Sequence, residues 1–338
     1  MLQKETEEQR KKRLNVFDSI LDTVGNTPLV RLNKLSPNPQ VEIWIKLEMF
    51  NPSLAVKDRM VRHIINKAEK SGELKPGGTI IENTSGNTGA AVSMISAVKG
   101  YKAILTMPDK VSIEKQNALK AYGAKIVVCP TSAPPDDPQH YENVCKKMAK
   151  ETPNSFRIDQ YDNKSNPEAH YLSTGPEIWD QMDGKIDYFV ASGSTGGTIS
   201  GIGRYLKEKK KEIKVVMPDP IGSVYHEYFT TGKISTNQGC TYLVEGIGED
   251  HVCEALDFKV IDEVIQFQDK DAFEICNRLA KEEGILAGGS TGANVWGAIQ
   301  VAKRLTGPAR IVTIAPDSGV KYLSKIYNED WMKEKNLI

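Results

Sequence analysis

Apolar residues fall along this chain in two alternating textures. Short runs such as "GTIIEN" (78–83), "KAILTMP" (102–108) and "AKIVVCP" (124–130) have the length and apolar content of buried strands. Between them, "AAVSMISAVKG" (90–100) and "IEKQNALKAYG" (113–123) read as helices, the first ended by Gly100. The alternation returns later, with strands at "KIDYFVAS" (185–192), "IKVVMPDP" (213–220) and "ARIVTIAPDS" (309–318) and helices at "TISGIGRYLKEK" (198–209) and "DAFEICNRLAKEEG" (271–284). Apolar strands between amphipathic helices of similar spacing predict an α/β fold, with parallel sheets covered by helices on both faces. So many strands would strain one open twisted sheet, and the pattern predicts two.

Two stretches interrupt the rhythm. "TSAPPDDPQHYENV" (131–144) is a proline-rich loop entering a helix, and "PNSFRIDQYDNKSNPEAHY" (153–171) reads as a polar, aromatic connection between two groups of strands, with a domain boundary near it. "KEKKKEIK" (207–214) is a charge run on a helix end and reads as a solvated face.

Composition narrows the function. Among 338 residues, Lys plus Arg and Asp plus Glu both total 44, so the formal charge is zero. That balance gives no reason to expect nucleic acid or an anionic membrane as partner, and leaves small neutral or zwitterionic metabolites. No apolar run is long enough to span a bilayer, and "MLQKETEEQRKKR" lacks the apolar core of a signal peptide, so the expected location is cytoplasmic. The five cysteines (Cys129, Cys145, Cys240, Cys253, Cys276) form no C-x-x-C pair, and reduced, buried thiols explain them better than disulfides or zinc. The histidines show no metal-ligand spacing, and no metal site is expected.

The candidate chemistry lies at strand-to-helix turns. "TSGNTG" (84–89) places small polar residues at a helix N-terminus, where backbone N–H groups can bind a phosphate or a carboxylate; an ordinary N-cap with a glycine turn has the same local sequence. "GSTGGTISG" (193–201) repeats the arrangement. It lacks the Lys-Ser/Thr ending of a nucleotide P-loop and the G-x-G-x-x-G spacing of a dinucleotide fold, so it reads as a small phosphate cup or a glycine turn chosen for tight packing. "GGSTGAN" (288–294) is a third such turn and "EGIGED" (245–250) a flexible glycine loop. Asn87, Thr195, Gly196 and Ser318 all fall at the carboxyl ends of strands, where open α/β sheets bind ligands.

Taken in order, "GNTPLVRL", "NPSLAVKDR" (51–59), "TSGNTG", "GSTGGT" (193–198), "EGIG" (245–248) and "PDS" (316–318) resemble the fold-type II pyridoxal-phosphate enzymes of the cysteine synthase and cystathionine β-synthase family. Residues 153–171 and the C-terminal "PDSGVKYLSKIYNEDWM" resemble the cystathionine β-synthase catalytic core most. The resemblance implies a tryptophan synthase β-like fold of two doubly wound α/β domains with pyridoxal 5'-phosphate between them. Residues 1–50 would pack on the large domain, 51–160 would form a smaller mobile domain and 161–338 the larger cofactor-binding one. Lys57 would be the catalytic residue and covalent anchor. Asn87 would meet the cofactor's ring oxygen, Ser194, Thr195, Gly196, Gly197 and Thr198 its phosphate, and Ser318 its pyridine nitrogen. Thr84, Ser85, Asn87 and Thr88, with Gln160, would hold the substrate carboxylate, and Gly246 and Gly248 would border the second substrate. A homodimer is implied as well.

The implied chemistry is β-replacement. Lys57, desolvated and of lowered pKa, takes the Cα proton, a hydroxyl or acetate leaves from Cβ, and a thiol adds there. Serine plus homocysteine is the first expectation. O-acetylserine plus sulfide (cysteine synthase) and cysteine desulfhydration are alternatives within the class, as is dehydration of serine or threonine. A catalytically weak, ligand-sensing relative is the alternative outside it. That last reading is motivated by a departure: Leu54 and Ala55 stand where the family has a small residue and a serine, so a hydroxyl beside the lysine is missing. Ser194 also replaces a usual glycine. No Cys or His precedes His63, and little chain follows "NEDWM". Neither a haem-binding extension nor C-terminal regulatory modules are expected.

Overall fold

The structure, a computed structural model, describes residues 16–84, 86–235 and 241–338. Two sheets form, as the alternation predicts. One has six strands in the order β1 (Leu29–Leu32), β2 (Val41–Leu47), β10 (Ala309–Ala315), β7 (Tyr188–Val190), β8 (Lys214–Pro220) and β9 (Glu263–Phe267). The other has four, β5 (Lys125–Cys129), β4 (Lys102–Pro108), β3 (Thr79–Asn83) and β6 (Ser155–Arg157). Among the described residues every strand pairing is parallel except β1 with β2. Strand β3 shows why: all of "TIIEN" is buried, as a strand covered on both faces must be.

Helix α1 (Lys57–Ser71) buries Met60, Val61, Ile64, Ile65 and Ala68 along one face and ends at Gly72, whose φ of +81° makes a left-handed cap. Helix α2 (Asn87–Lys99) starts three residues before the expected position, at the polar turn itself. Helices α3 (Ile113–Ala121) and α4 (Tyr141–Glu151) complete the cover of the small sheet. The supposed connection at 153–171 instead contains β6 and helix α5 (Ser165–Leu172), which is followed by α6 (Thr174–Gln181). The large sheet carries α7 (Gly197–Lys209), α8 (Tyr225–Thr231), α9 (Asp269–Arg278), α10 (Gly289–Arg304) and α11 (Glu329–Glu334). The helix expected over 271–284 is α9 plus a π-helical turn, Leu279–Glu283.

Ile80, Ala91, Ile95 and Leu105 belong to the core of the small sheet. Phe189, Ile199 and Met217 fill one face of the large sheet, and Ile43, Val190, Val295 and Ile311 the other. Helix α5 packs on both α1 and α7 and so joins the two halves. Cys129, Cys145, Cys253 and Cys276 are free and buried, in line with the sequence reading, and Cys240 lies outside the described residues. No helix among the described residues is long and apolar enough to cross a membrane.

Candidate active site

The turns singled out in the sequence contact one another: Lys57 meets Thr195, Asn87 meets Asp317 and Gly248 meets Gly193. Lys57 is the first residue of α1. Its position is fixed from three sides. The Val56 N–H donates to the Pro316 carbonyl at 2.8 Å, and Ala55 forms a β-bridge with Asp317, just past β10. Asp58 accepts the Ser53 N–H at 2.7 Å and the Ser53 hydroxyl. Burial pushes the Asp58 carboxyl up to about 6 against those bonds. Below, Arg59 clamps Glu48 through Nε at 2.6 Å and Nη2 at 2.8 Å, and reaches Glu177 at 2.7 Å. Lys46, fully buried, joins the same Glu177 at 2.9 Å and donates to the Thr27 carbonyl at 2.7 Å. A charge network this deep holds only because nearly every donor has an acceptor.

The Lys57 amine lies 3.5 Å from Thr195 Oγ1. Burial lowers its pKa, and the nearby Glu249 carboxylate and Cys253 oppose the shift. Thr195 Oγ1 also accepts from Asn166 Nδ2 at 3.0 Å, and the same Nδ2 donates to the Gln160 carbonyl at 2.8 Å. Thr198 Oγ1 lies 3.2 Å from His170 Nε2, whose other ring nitrogen is 2.9 Å from Thr174 Oγ1. His170 is fully buried, and burial pushes its pKa well below the usual range, so the ring is a neutral bridge.

The turn 194–198 fits a phosphate. It opens α7, where backbone N–H groups have no helical acceptors. Gly196 has φ +82°, and a Cβ there would fall 2.3 Å from Leu256 Cβ. A Cβ on Gly197 would fall 2.0 Å from Asn166 Oδ1, a buried oxygen that has no hydrogen-bond partner. Ser194 turns its hydroxyl to Glu249 Oε1 at 2.6 Å, and burial raises the Glu249 carboxyl above its usual range. Glu249, Asp250 and His251 bring ligand-type atoms within 4.8 Å of one another, and the Asp250 carboxylate is 2.7 Å from His251 Nδ1.

A second group surrounds the start of α2. Thr88 Oγ1 donates to Gln160 Oε1 at 2.6 Å, and Gln160 Nε2 donates to the Asn83 carbonyl at 3.5 Å. Glu82, pushed up to about 7 by burial, accepts the Asp159 N–H at 2.9 Å and thereby fixes that turn. Thr84 is buried, and its Oγ1 accepts the Gly86 N–H at 3.3 Å. Ser85 lies outside the described residues. Asn87 bridges to the large sheet: Nδ2 donates to Asp317 Oδ2 at 2.8 Å, and Oδ1 accepts from Lys321 at 2.6 Å. Ser318 follows Asp317, and its N–H donates to the Leu54 carbonyl at 3.3 Å. Gly248 ties the 245–250 loop to the 193–198 turn through its N–H on the Gly193 carbonyl at 2.7 Å. Gly246 faces open space, with nothing within 4 Å of a Cβ placed there.

Five participants escaped the sequence reading: Asn166, His170, Glu249, Asp317 and Lys321. Asn166 and His170 sat in the stretch taken as a connection. Asp317 and Lys321 flank Ser318 and carried no spacing signal of their own.

Residues 20–317 match the family model described as "Pyridoxal-phosphate dependent enzyme". The chain is 44% identical over 323 residues to a cystathionine beta-synthase of Dictyostelium discoideum, covering 96% of this chain and 64% of that protein. It is 45% identical over 325 residues to that of Apis mellifera, again covering 96% and 64%. It therefore spans just under two thirds of the length of these relatives. Among solved structures, O-ureido-L-serine synthase superposes with a TM-score of 0.85 at 34% identity, covering 94% of this chain and 99% of that one. The fold is that of a fold-type II enzyme, and the family match runs through Lys57, both polar turns and the glycine loop, stopping one residue short of Ser318. On these findings the chain belongs to the pyridoxal-phosphate dependent enzymes.

Proposed function

We propose that this chain catalyses β-replacement of the cystathionine β-synthase type, condensing serine or O-acetylserine with a thiol. The observation that carries the reading is the Lys57 amine set 3.5 Å from Thr195, in the glycine-rich turn that opens α7. When bound, pyridoxal phosphate supplies the electron sink for charge at the substrate Cα. The protein supplies the rest. Lys57, its pKa lowered by burial and so a readier proton acceptor than an exposed lysine, accepts the Cα proton and returns it at the end. The start of α2, with Thr84 and Thr88, offers donors for the substrate carboxylate, and Gln160 orients the Thr88 hydroxyl. Asn87 would hold the ring oxygen, and a serine at position 318, in place of a carboxylate, would leave the ring nitrogen without an anionic partner, which would favour β-chemistry over transamination. The loop at Gly246 and Gly248 borders the second substrate.

The domain division at about residue 160, with 51–160 as the mobile part, belongs to the same reading and is supported by the separate core of the four-stranded sheet. So do a homodimer, a cytoplasmic location and the absence of haem. The likeness to O-ureido-L-serine synthase favours a second reading in which a nucleophile other than a thiol adds at Cβ. Product analysis by mass spectrometry decides between them, offering serine and O-acetylserine against homocysteine, sulfide and non-thiol nucleophiles. Cystathionine from serine is the expected product. Absence of any thiol adduct would refute the first reading. Light scattering checks the dimer.

A further inference from the structure

Lys321 stands at this site without a role in the reading above. It lies in the short helical turn Gly319–Tyr322, one turn beyond Ser318. Its ammonium donates to Asn87 Oδ1 at 2.6 Å, to the Ser53 carbonyl at 3.1 Å and to the Leu54 carbonyl at 3.4 Å. An ammonium has three hydrogens and cannot accept, so its partner on Asn87 must be the oxygen. The amide orientation is therefore set chemically. Nδ2 points the other way, where one hydrogen goes to Asp317 Oδ2 at 2.8 Å and one is left over. Asp317 is itself held by the Tyr322 hydroxyl at 2.7 Å.

We propose that Lys321 is a positioning residue for cofactor binding: it locks the Asn87 amide with its NH2 toward the cofactor's ring oxygen and, by its charge, strengthens that donor. The inference rests on the assignment of Asn87 and Lys57 made under the proposed function. The same ammonium grips the two carbonyls just before Ala55 and Lys57, so one side chain ties the anchor turn to the ring-oxygen contact. Asp317 and Asp58 attract Lys321, Lys115 repels it, and burial lowers its pKa. Lys115 is in turn paired with Glu245 at 2.6 Å. No other lysine is described on Asn87.

The test reconstitutes wild type, Lys321→Met and Lys321→Arg with pyridoxal phosphate and follows the visible absorbance of the bound cofactor against pH. Removing the cation from the oxygen end of the Asn87 amide weakens its NH2 as a donor, so the cofactor holds its proton more tightly. The absorbance midpoint in Lys321→Met should rise by about one pH unit, a tenfold change in proton affinity, and cofactor retention on dialysis should fall about tenfold. Lys321→Arg should recover most of both. A Met variant that titrates like wild type overturns the proposal, as does one whose thermal midpoint alone changes. Failure of Arg to restore the titration while it restores thermal stability overturns it too. If Lys321→Met does not fold, Lys321→Gln is read by the same criteria, with a smaller rise expected because its amide can still donate. Borohydride trapping with peptide mapping separates the two levels. A label on Lys57 with an unmoved titration rejects Lys321 alone, and a label on another lysine rejects the site as well.

Discussion

Replacing Gly197 by alanine tests the proposed phosphate turn through one contact. The added Cβ would lie 2.0 Å from Asn166 Oδ1, 2.3 Å from its Cγ and 2.7 Å from its Nδ2, so the whole amide must move. Asn166 is 1% exposed and has nowhere to go without losing its bonds to Thr195 Oγ1 and the Gln160 carbonyl. Two such bonds contribute about 1–3 kcal/mol, and overpacking adds about 1–3 kcal/mol. The usual gain of alanine over glycine in a helix returns at most about 1 kcal/mol. A net loss of about 3 kcal/mol is expected, part as a lower thermal midpoint of the cofactor-free protein and part as weaker pyridoxal phosphate binding. Calorimetry reads the first and absorbance titration with the cofactor the second. The decisive comparison is made in an Asn166→Ala background. There the obstructing amide is gone, and Gly197→Ala should cost less than about 1 kcal/mol. If it costs the same in both backgrounds, the clash with Asn166 is not the reason glycine stands at 197, and the account of the turn is wrong.

Lys57→Ala should abolish turnover and covalent cofactor attachment, because it removes both the anchor and the proton carrier; near-native rates in a product assay would refute the assignment of the base. Ser318→Asp should change the absorbance of the bound cofactor and lower β-replacement, whereas an unchanged spectrum would mean that residue 318 does not face the ring nitrogen. Burial pushes the Glu177 carboxyl up, but Arg59 and Lys46 overcome it and hold it at about 2, below an ordinary 4.5. A depressed carboxyl stabilises the fold above the ordinary value, and that stability is lost as pH falls from about 4.5 toward 2, here about 3 kcal/mol. Glu177→Gln should be less stable at neutral pH and show a flatter acid limb in that window by circular dichroism; an unaltered acid limb would show that the Arg59 network does not set acid stability.

The sequence made the two-sheet α/β plan legible because β3, β4, β8 and β10 are buried on both faces and read as continuous apolar runs. It hid β2, whose "VEIWIKL" carries Lys46. That lysine is fully buried, and only its partners Glu177, Gln181 and the Thr27 carbonyl explain it, two of them more than a hundred residues away. The same holds at the site. Turns announce themselves locally through glycine and hydroxyl residues, so the 84–89 and 193–198 segments were legible. Glu249 and Lys321 meet the site through residues more than fifty positions away, and Asn166 reaches Thr195 across 29, separations that no spacing rule covers. Strand β6 has three residues, too few to display an alternation.

The departure at Ala55 takes on a different meaning in three dimensions. It motivated the reading of a weak, ligand-sensing relative, because a hydroxyl beside the lysine is missing. Ala55 is 0% exposed, and what it contributes to the site is its backbone, paired with Asp317. A hydroxyl does reach the lysine, from Thr195. Leu54 takes a φ of +61°, a conformation that costs a leucine about 1 kcal/mol or more. Its carbonyl, however, is gripped by the Ser318 N–H and by Lys321, and the residue is 41% exposed. The strain is thus confined to a turn that three separate contacts hold in place. In the proposed reading this constrained turn is what sets Lys57 against Thr195, so the alanine at 55 carries no argument against catalysis.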